Sequence, residues 1–412
     1  MNAFNTFTCL LKLNETLKIN EPTIVSVSYP TSTSATIYFT ASTTSGITDY
    51  QYSIDNITYT SIGILTNYFT ISGITNSVTL YFIALRNTLE SSPTTFSLNP
   101  TYTSKATIGG TGSGKLLITS NYEYYVFTNT SASSTLTFAN TTDIEYLVVG
   151  AGGNGGPIDY GGGGGAGGVL KSTVSVSSGT TFTITVGNYG TYSTTRSTRG
   201  GNSTISGNGI TNGTAYGGGS GAFLNVTSNT GGSGGGGSSY GGPAGVATTG
   251  NGYNGTSGGN AFAEGCGGGG GAGSNGSNCI FISPVYYGGA GGNGTSVYSD
   301  WIITIAGYMN TVFTNWSNYT VSNGIGYIAS GGAGGTGSST AAITGFTART
   351  IGGGGSGGPR AYANINDTPL PTTGIPNTGG GGGGFGGNFP GYYQYFQNVG
   401  GSGIIIIRIP II

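Results

Sequence analysis

Residues 144–168 read IEYLVVGAGGNGGPIDYGGGGGAGG. An apolar strand, Ile144–Val149, runs straight into a glycine block at 150–156, and a second block follows at 161–168. β-Branched and aromatic residues suit a pleated, half-buried surface, and glycine inside such a run marks a bulge or a close backbone approach. The glycine here is not local punctuation: of the 86 glycines in 412 residues, 79 lie between 150 and 403. They gather at 150–156, 161–168, 217–221, 231–242, 265–276, 288–294, 331–337, 352–358 and 379–387. Collagen is excluded, because there is no Gly-X-Y register and only 13 prolines occur. A flexible linker is excluded by the Phe, Tyr, Ile and Val between blocks. The ordered solution that remains is an array of extended threefold glycine helices. That conformation makes no internal hydrogen bonds, so each buried segment must find partners on its neighbours. Only glycine lets segments approach closely enough. At ~3.1 Å per residue a nine-residue block spans about 28 Å, with the Tyr- and Asn-rich intervals as loops at the two ends. Ordering glycine costs more backbone entropy than ordering any other residue. Dense mutual hydrogen bonding must offset that cost, which predicts a stiff body.

Working outward, residues 22–100 carry seven short strand-like runs: Thr23–Tyr29, Ala35–Ala41, Thr48–Ile54, Thr58–Ile62, Asn67–Ser72, Thr79–Leu85 and Thr94–Leu98. Short strands at this spacing, without helical periodicity, indicate a β-sandwich. Ahead of them, residues 1–21 form an extension in which Phe7, Cys9, Leu11 and Leu13 alternate with Thr8, Leu10, Lys12 and Asn14. This is a strand pattern, expected to add to an open sheet edge of a neighbouring subunit, with packing against its own sandwich as the alternative. Residues 101–412 hold further strands at Lys115–Thr119, Tyr122–Thr128, Ser134–Phe138, Ile144–Val149, Val169–Val176, Thr181–Val186 and Gly403–Ile409. The four isoleucines of the last strand point to burial on both faces. The expected fold is all-β without a long helix: a sandwich at 22–100, then a β-scaffold at 101–412 carrying a bundle of polyglycine II-type helices.

The first of these regions resembles a fibronectin type III domain, on Pro22-Thr23-Ile24-Val25-Ser26-Val27, Tyr50-Gln51-Tyr52-Ser53-Ile54-Asp55-Asn56, Gly73-Ile74-Thr75-Asn76 and the closing Asn87 to Pro93. It departs from the family at the corner tyrosine, whose position is Leu80 with Tyr81 next. The larger region, roughly 105–412, resembles a glycine-rich domain found in phage tail-fibre and adhesin proteins and in giant-virus surface proteins. A similar glycine-helix bundle occurs in a receptor tyrosine kinase ectodomain. The residues that carry this are Ile144–Gly153, Gly161–Gly168, Phe182-Thr183-Ile184-Thr185-Val186-Gly187 and Gly401–Arg408. The resemblance implies a β-scaffold with a glycine-helix bundle, used at a virion or cell surface.

Composition narrows the chemistry. Charged residues make up 6% of the chain, against about a quarter in ordinary soluble domains. The 11 basic and 12 acidic residues nearly cancel, leaving no footprint for nucleic acid. No apolar run approaches the ~20 residues of a membrane span. Met1–Glu15 has neither the basic region nor the apolar core of a secretory signal, so export is expected by lysis or a dedicated route. Without histidine, Ser-His-Asp and Cys-His catalysis and His-Cys zinc sites are excluded. The reading expects no catalytic, cofactor-binding or metal-ligating residues and no cofactor.

Several motifs imitate chemistry. Gly109–Lys115 follows a P-loop until Leu116 replaces the required hydroxyl, and a strand follows where a helix is needed; it reads as an interdomain linker. Gly150–Gly155 matches GxGxxG, but Pro157 and Gly161–Gly165 forbid the helix. Asp143 and Glu145 share one strand face and read as a solvated edge, since a glycosidase needs carboxyls on both sides of the sugar. Cys266 and Cys279, thirteen apart, are candidates for a disulfide that would leave Cys9 over. Sequons such as Asn56, Asn140 and Asn212 arise readily in so Asn- and Thr-rich a chain. Residues 296–328 interrupt the glycine pattern with Trp301, Tyr308, Phe313, Trp316, Tyr319 and Tyr327. Aromatics on loops suit a contact surface, although they equally suit a local core or a cap on the bundle. Phe389–Phe396 is a second segment of this kind.

These features point to a non-enzymatic structural or attachment protein of a virion surface or tail appendage, a fibre or adhesin. Its expected partners are itself, as a homo-oligomer, other virion proteins, or a host-surface glycan or receptor, without nucleic acid or membrane insertion. The alternatives are a repeating subunit of an extracellular filament and, more weakly, a polysaccharide-degrading spike.

Overall fold

The computed structural model describes all residues except 1–17, 32, 65–66, 101, 158–159, 192–197, 249–264, 283–284, 337–347, 359–369, 388–397 and 412. The chain divides into two compact units, one of residues 1–104 with 117–120 and 307–312, the other of 105–116 with 121–306 and 313–412. Among the described residues the fold is all-β apart from two helices.

The first unit contains β1 (Thr23–Thr31), β2 (Ser34–Thr40), β3 (Asp49–Ser53), β4 (Thr60–Ser61), β5 (Tyr68–Ser72), β6 (Val78–Arg86), β7 (Leu89–Glu90) and β8 (Thr94–Leu98). β2 lies between β1 and β5, and β3 between β4 and β6, with β7 and β8 on the far side of β6; all pairs are antiparallel. Alternation decides the faces: in β5, Phe69 and Ile71 are buried while Tyr68, Thr70 and Ser72 are exposed. The core gathers Val27, Ile37, Phe39, Leu80, Phe82 and Leu98, with the Phe39 and Phe82 rings 4.7 Å apart edge to face. Leu80, at the corner-tyrosine position, is a core side chain. Ile19 belongs to this core too, and Asn20 bonds to Thr43 and Thr44. The end of the 1–21 extension is therefore part of the sandwich.

The second unit rests on two facing sheets. One runs β14 (Val169–Val176), β13 (Thr142–Val149), β22 (Ile404–Pro410), β11 (Tyr122–Phe127); the other runs β17 (Thr214–Ala215), β16 (Ser203–Ser206), β15 (Thr181–Thr185), β12 (Ser134–Phe138), β9 (Ala106–Gly110). Between them pack Phe127, Phe138, Tyr146, Val148, Phe182 and Ile407 with their neighbours. β22 sits between β11 and β13, and Ile404 to Ile407 are all fully buried, as four consecutive isoleucines predict. The strand β9 and the start of β10 (Gly114–Ile118) replace the linker expected at 109–115. The remaining short pairs are β18 (Ile280–Ile282) with β19 (Val285–Tyr287), and β20 (Val321–Ser322) with β21 (Ile325–Gly326).

At Gly150 the sheet changes its hydrogen-bonding period. Val149 pairs with Val169 on one side and Ile404 on the other. Beyond it, the N–H groups of Gly150, Gly153 and Gly156 donate to Gly168, Gly165 and Gly162, those of Gly152 and Gly155 to Gly401 and Asn398, and those of Ala151 and Asn154 to Gly201 and Thr198, at 2.8–3.1 Å. The register of both sheet neighbours continues unbroken, but each receives every third residue, and a third neighbour has joined. A strand has only two hydrogen-bonding directions, opposite and in plane.

The block 161–168 lies deepest. Its N–H groups address 379–385, 216–222 and 267–270 in strict rotation, at 2.7–3.0 Å. Its carbonyls accept from 150–156, 233–236 and 332–335. Six segments thus surround one. The glycines of these seven segments are buried, and a Cβ on Gly164 would overlap the carbonyl of Gly153. Where alanine does occur, at Ala151, Ala166, Ala222 and Ala333, it too is fully buried.

One expectation fails. Residues 299–320 form two helices, α1 (Ser299–Val312) and α2 (Trp316–Thr320), instead of loops. The buried residues of α1, Trp301, Ile302, Ile305 and Met309, recur at one-helix-face spacing, and Asp300 lies in the first turn, where the helix dipole favours an acid. Ile, Thr and Val are weak helix formers, and here packing overrides propensity.

Candidate functional site

The outer face of the β14–β13–β22–β11 sheet holds a polar cluster built on Arg408. Alternation places Arg408 of β22 between Glu145 of β13 and Tyr124 of β11. Arg408 Nη2 lies 2.8 Å from Glu145 Oε2, and Nη1 lies 2.7 Å from Asp300 Oδ2 at the start of α1. Its guanidinium sits over the rings of Tyr122 at 4.5 Å and Trp301 at 4.4 Å. Lys171 reaches Glu145 at 3.1 Å. Burial alone would lower the Arg408 pKa, but hydrogen bonds to Tyr124 and Asp300 and the charge of Glu145 raise it overall. Trp301 is therefore one wall of a cation clamp that fixes the C-terminal strand.

Beside the clamp is an open groove of about 450 Å³ lined by Tyr122, Asp143, Glu145, Thr173, Ser175 and Pro410. Asp143 accepts a hydrogen bond from the Ser175 hydroxyl. The solvated edge expected for these acids is corrected: β13 is an interior strand, and Glu145 is neutralised by two cations. Both carboxylates project from one face, so the groove lacks the opposed pair that glycoside hydrolysis uses. A second cavity, of about 510 Å³, is lined by Asn293, Thr295, Val297, Tyr327 and Ile351.

The aromatic candidates separate. Trp301 and Trp316 are buried, and Trp316 Nε1 donates to the Pro376 carbonyl at 3.1 Å. They belong to the core of their segment and offer no surface in the isolated chain. Tyr308, Phe313 and Tyr319 are half-buried; Phe313 packs near Tyr319, and the Arg349 guanidinium lies 4.9 Å from the Tyr319 ring. Exposed apolar side chains lie elsewhere, among them Ile57, the β18 residues Ile280, Phe281 and Ile282, and Val297. A run of three apolar residues between glycine blocks was the signal for β18. Phe7, Cys9, Leu11 and Leu13, and all of Phe389–Phe396, fall outside the described residues.

Cys266 and Cys279 both carry thiols in the structure. Cys266 lies inside a glycine block, its N–H donating to Gly335, and burial pushes its thiol up to about 12. The Gly109–Lys115 turn joins β9 to β10, and burial lowers the Lys115 pKa. Gly150–Gly155 spends its N–H groups on three neighbouring segments, leaving no phosphate cradle there. Among the described residues no helix is long and apolar enough to cross a membrane, and no cluster of acidic and thiol groups could hold a metal.

Compared with known families, residues 128–410 match the model of a glycine-rich domain. No curated protein matches the chain.

Proposed function

The chain belongs to the glycine-rich domain family, and from this premise we propose that it is a non-enzymatic structural and attachment protein of a virion surface or tail appendage. The observation that carries the reading is the block 161–168, bonded in threefold rotation to six neighbours. That pattern supports segments of the polyglycine II type, since extended threefold helices must bond outward. Such a body is rigid without charge, disulfide or metal, and its turns are free to vary at the ends of the rods. A stiff scaffold with variable end loops suits display and contact. The strand order β1-β2-β5 against β4-β3-β6-β8 in the first unit supports a fibronectin type III module, a spacer in this reading. Partners would be other copies, neighbouring virion proteins or a host glycan or receptor.

Immunogold labelling with antibodies against the purified protein tests the location. Label on virion or appendage surfaces is the expected result; label confined to the cytosol of producing cells would overturn it. Product analysis after incubation with host polysaccharides tests the spike alternative, and chain cleavage there would replace the present reading.

A further inference from the structure

The sheet that carries the clamp ends in an open edge. β14 pairs with β13 through all eight residues without a bulge, and among the described residues no other strand pairs with it, although β17 passes close by. It is the longest terminal strand of any sheet described here. Alternate residues of such a strand direct N–H and C=O groups away from the sheet, a template for another chain. Proteins blunt such edges with proline, bulges or charge; β14 has only Lys171, whose ammonium is held by Glu145. Its two faces differ. Leu170 and Val174 lie half-buried against the core, with Val176 buried beside them, whereas Lys171, Thr173 and Ser175 are exposed.

We propose that this edge receives residues 7–13 of a second copy as an added parallel strand. Phe7, Cys9, Leu11 and Leu13 have the same period as Leu170, Ser172, Val174 and Val176. In the parallel register these four pairs stand side by side, each large residue next to an apolar one and the small Cys9 next to Ser172. The opposite face places Lys12 next to Ser175, whose hydroxyl is bonded to Asp143, so a cation meets a carboxylate. An antiparallel strand that keeps all four residues within β14, from Phe7–Val176 to Leu13–Leu170, would instead set Lys12 against Lys171, two cations side by side. The donor segment precedes Ile19, which is anchored in the first unit, and the acceptor belongs to the second. One copy can therefore give its donor while its own acceptor takes the next. Such a heterologous contact propagates into a chain or ring of subunits. This goes beyond attachment and holds for a fibre or a filament alike.

The test is disulfide trapping in the full chain. Ser172→Cys, oxidised with copper–phenanthroline, should give a ladder of covalent multimers on a non-reducing gel, with tagged and untagged copies joined in mixtures. Thr173→Cys, on the other face, should give none, and Cys9→Ser should abolish the ladder. Removing residues 2–16, which spares Ile19, should abolish assembly measured by light scattering. A purely intramolecular bond, equal trapping at 173, or undiminished assembly of the deletion variant would each overturn the proposal. Trapping reads docking alone and labelling reads location alone, so either result can fail without the other.

Discussion

Adding a methyl group to a glycine that adopts an ordinary backbone conformation stabilises a protein by about 0.4–1 kcal/mol, through the unfolded chain. Inside the glycine blocks the sign should reverse. A Cβ on Gly269 would fall within 3.0 Å of the Gly164 carbonyl carbon and oxygen, and one on Gly382 equally close to those of Asn398. The clashing atoms are backbone, themselves held by hydrogen bonds to further blocks, so no side chain can swing aside. Overpacking a core costs about 1–3 kcal/mol, and backbone on both sides places Gly269→Ala and Gly382→Ala at the upper end, with valine beyond it. At about 2–4 °C per kcal/mol for a large domain, 3 kcal/mol corresponds to a fall of roughly 6–12 °C in Tm. Ala166→Gly is the control within the central block. There a methyl group is already buried, and losing it should cost about 1 kcal/mol from the transfer of one carbon and the added glycine entropy. Scanning calorimetry of the three variants decides the matter. Tm values for the two glycine variants at or above the parent's would refute close-packed glycine segments, whatever Ala166→Gly does.

Other outcomes follow from the same geometry. Arg408→Met removes the partner of Glu145, and with hydrogen bonds to charged groups at about 1.5–3 kcal/mol, reduced by the partial exposure of Glu145, urea unfolding should show a loss of about 2 kcal/mol. Adding Glu145→Gln should then cost little more, whereas full additivity would contradict a coupled clamp. Asp55 accepts hydrogen bonds from the Thr58 N–H, the Ser53 hydroxyl and the Ile57 N–H, which lower its pKa to about 2. Its folded value lies below its unfolded one, so its contribution is present above about pH 4 and is lost as pH falls through about 2; NMR titration of Asp55 near 4 would contradict this. Cys266, buried and with its thiol pushed up to about 12, should resist iodoacetamide at pH 8 in the native protein and react once unfolded, as read by mass spectrometry.

Much of the fold was legible because strands announce themselves by alternation. Thr94–Leu98, Ser134–Phe138 and Val169–Val176 lie where their pattern puts them, and the nine blocks separate by composition alone. What escaped was whatever rests on long-range packing. The helix α1 is written in isoleucine and threonine, and only the spacing of Trp301, Ile302, Ile305 and Met309 betrays it. The clamp joins Tyr122, Glu145, Asp300 and Arg408 from positions far apart in the chain, and no local motif marks that meeting. Trp301 was legible as unusual but not as buried, because an aromatic on a surface and one under a helix look alike in sequence.

The C-terminal strand shows how sheet and bundle depend on each other. β11 and β13 are neighbours only through β22, which supplies six register pairs to one and five to the other. The residues just before it, 398–403, take every third hydrogen bond of block 150–156 or its flanks. Both the sheet and the glycine segments therefore depend on residues 398–410. Ile404, Ile405, Ile406, Ile407 and Ile409 are fully buried, and at about 1.5–3 kcal/mol each they contribute roughly 7–15 kcal/mol. That equals the whole stability of a typical domain, about 5–15 kcal/mol. Ending the chain at Gly403 should therefore not trim the second unit but unfold it, glycine blocks included. Limited proteolysis reads this directly, through cleavage within 299–320, the interval whose Trp301 and Trp316 are buried in the full chain. A truncated protein in which that interval stays protected would mean that the bundle stands without its sheet, and that the register shared across Gly150 is not what holds it.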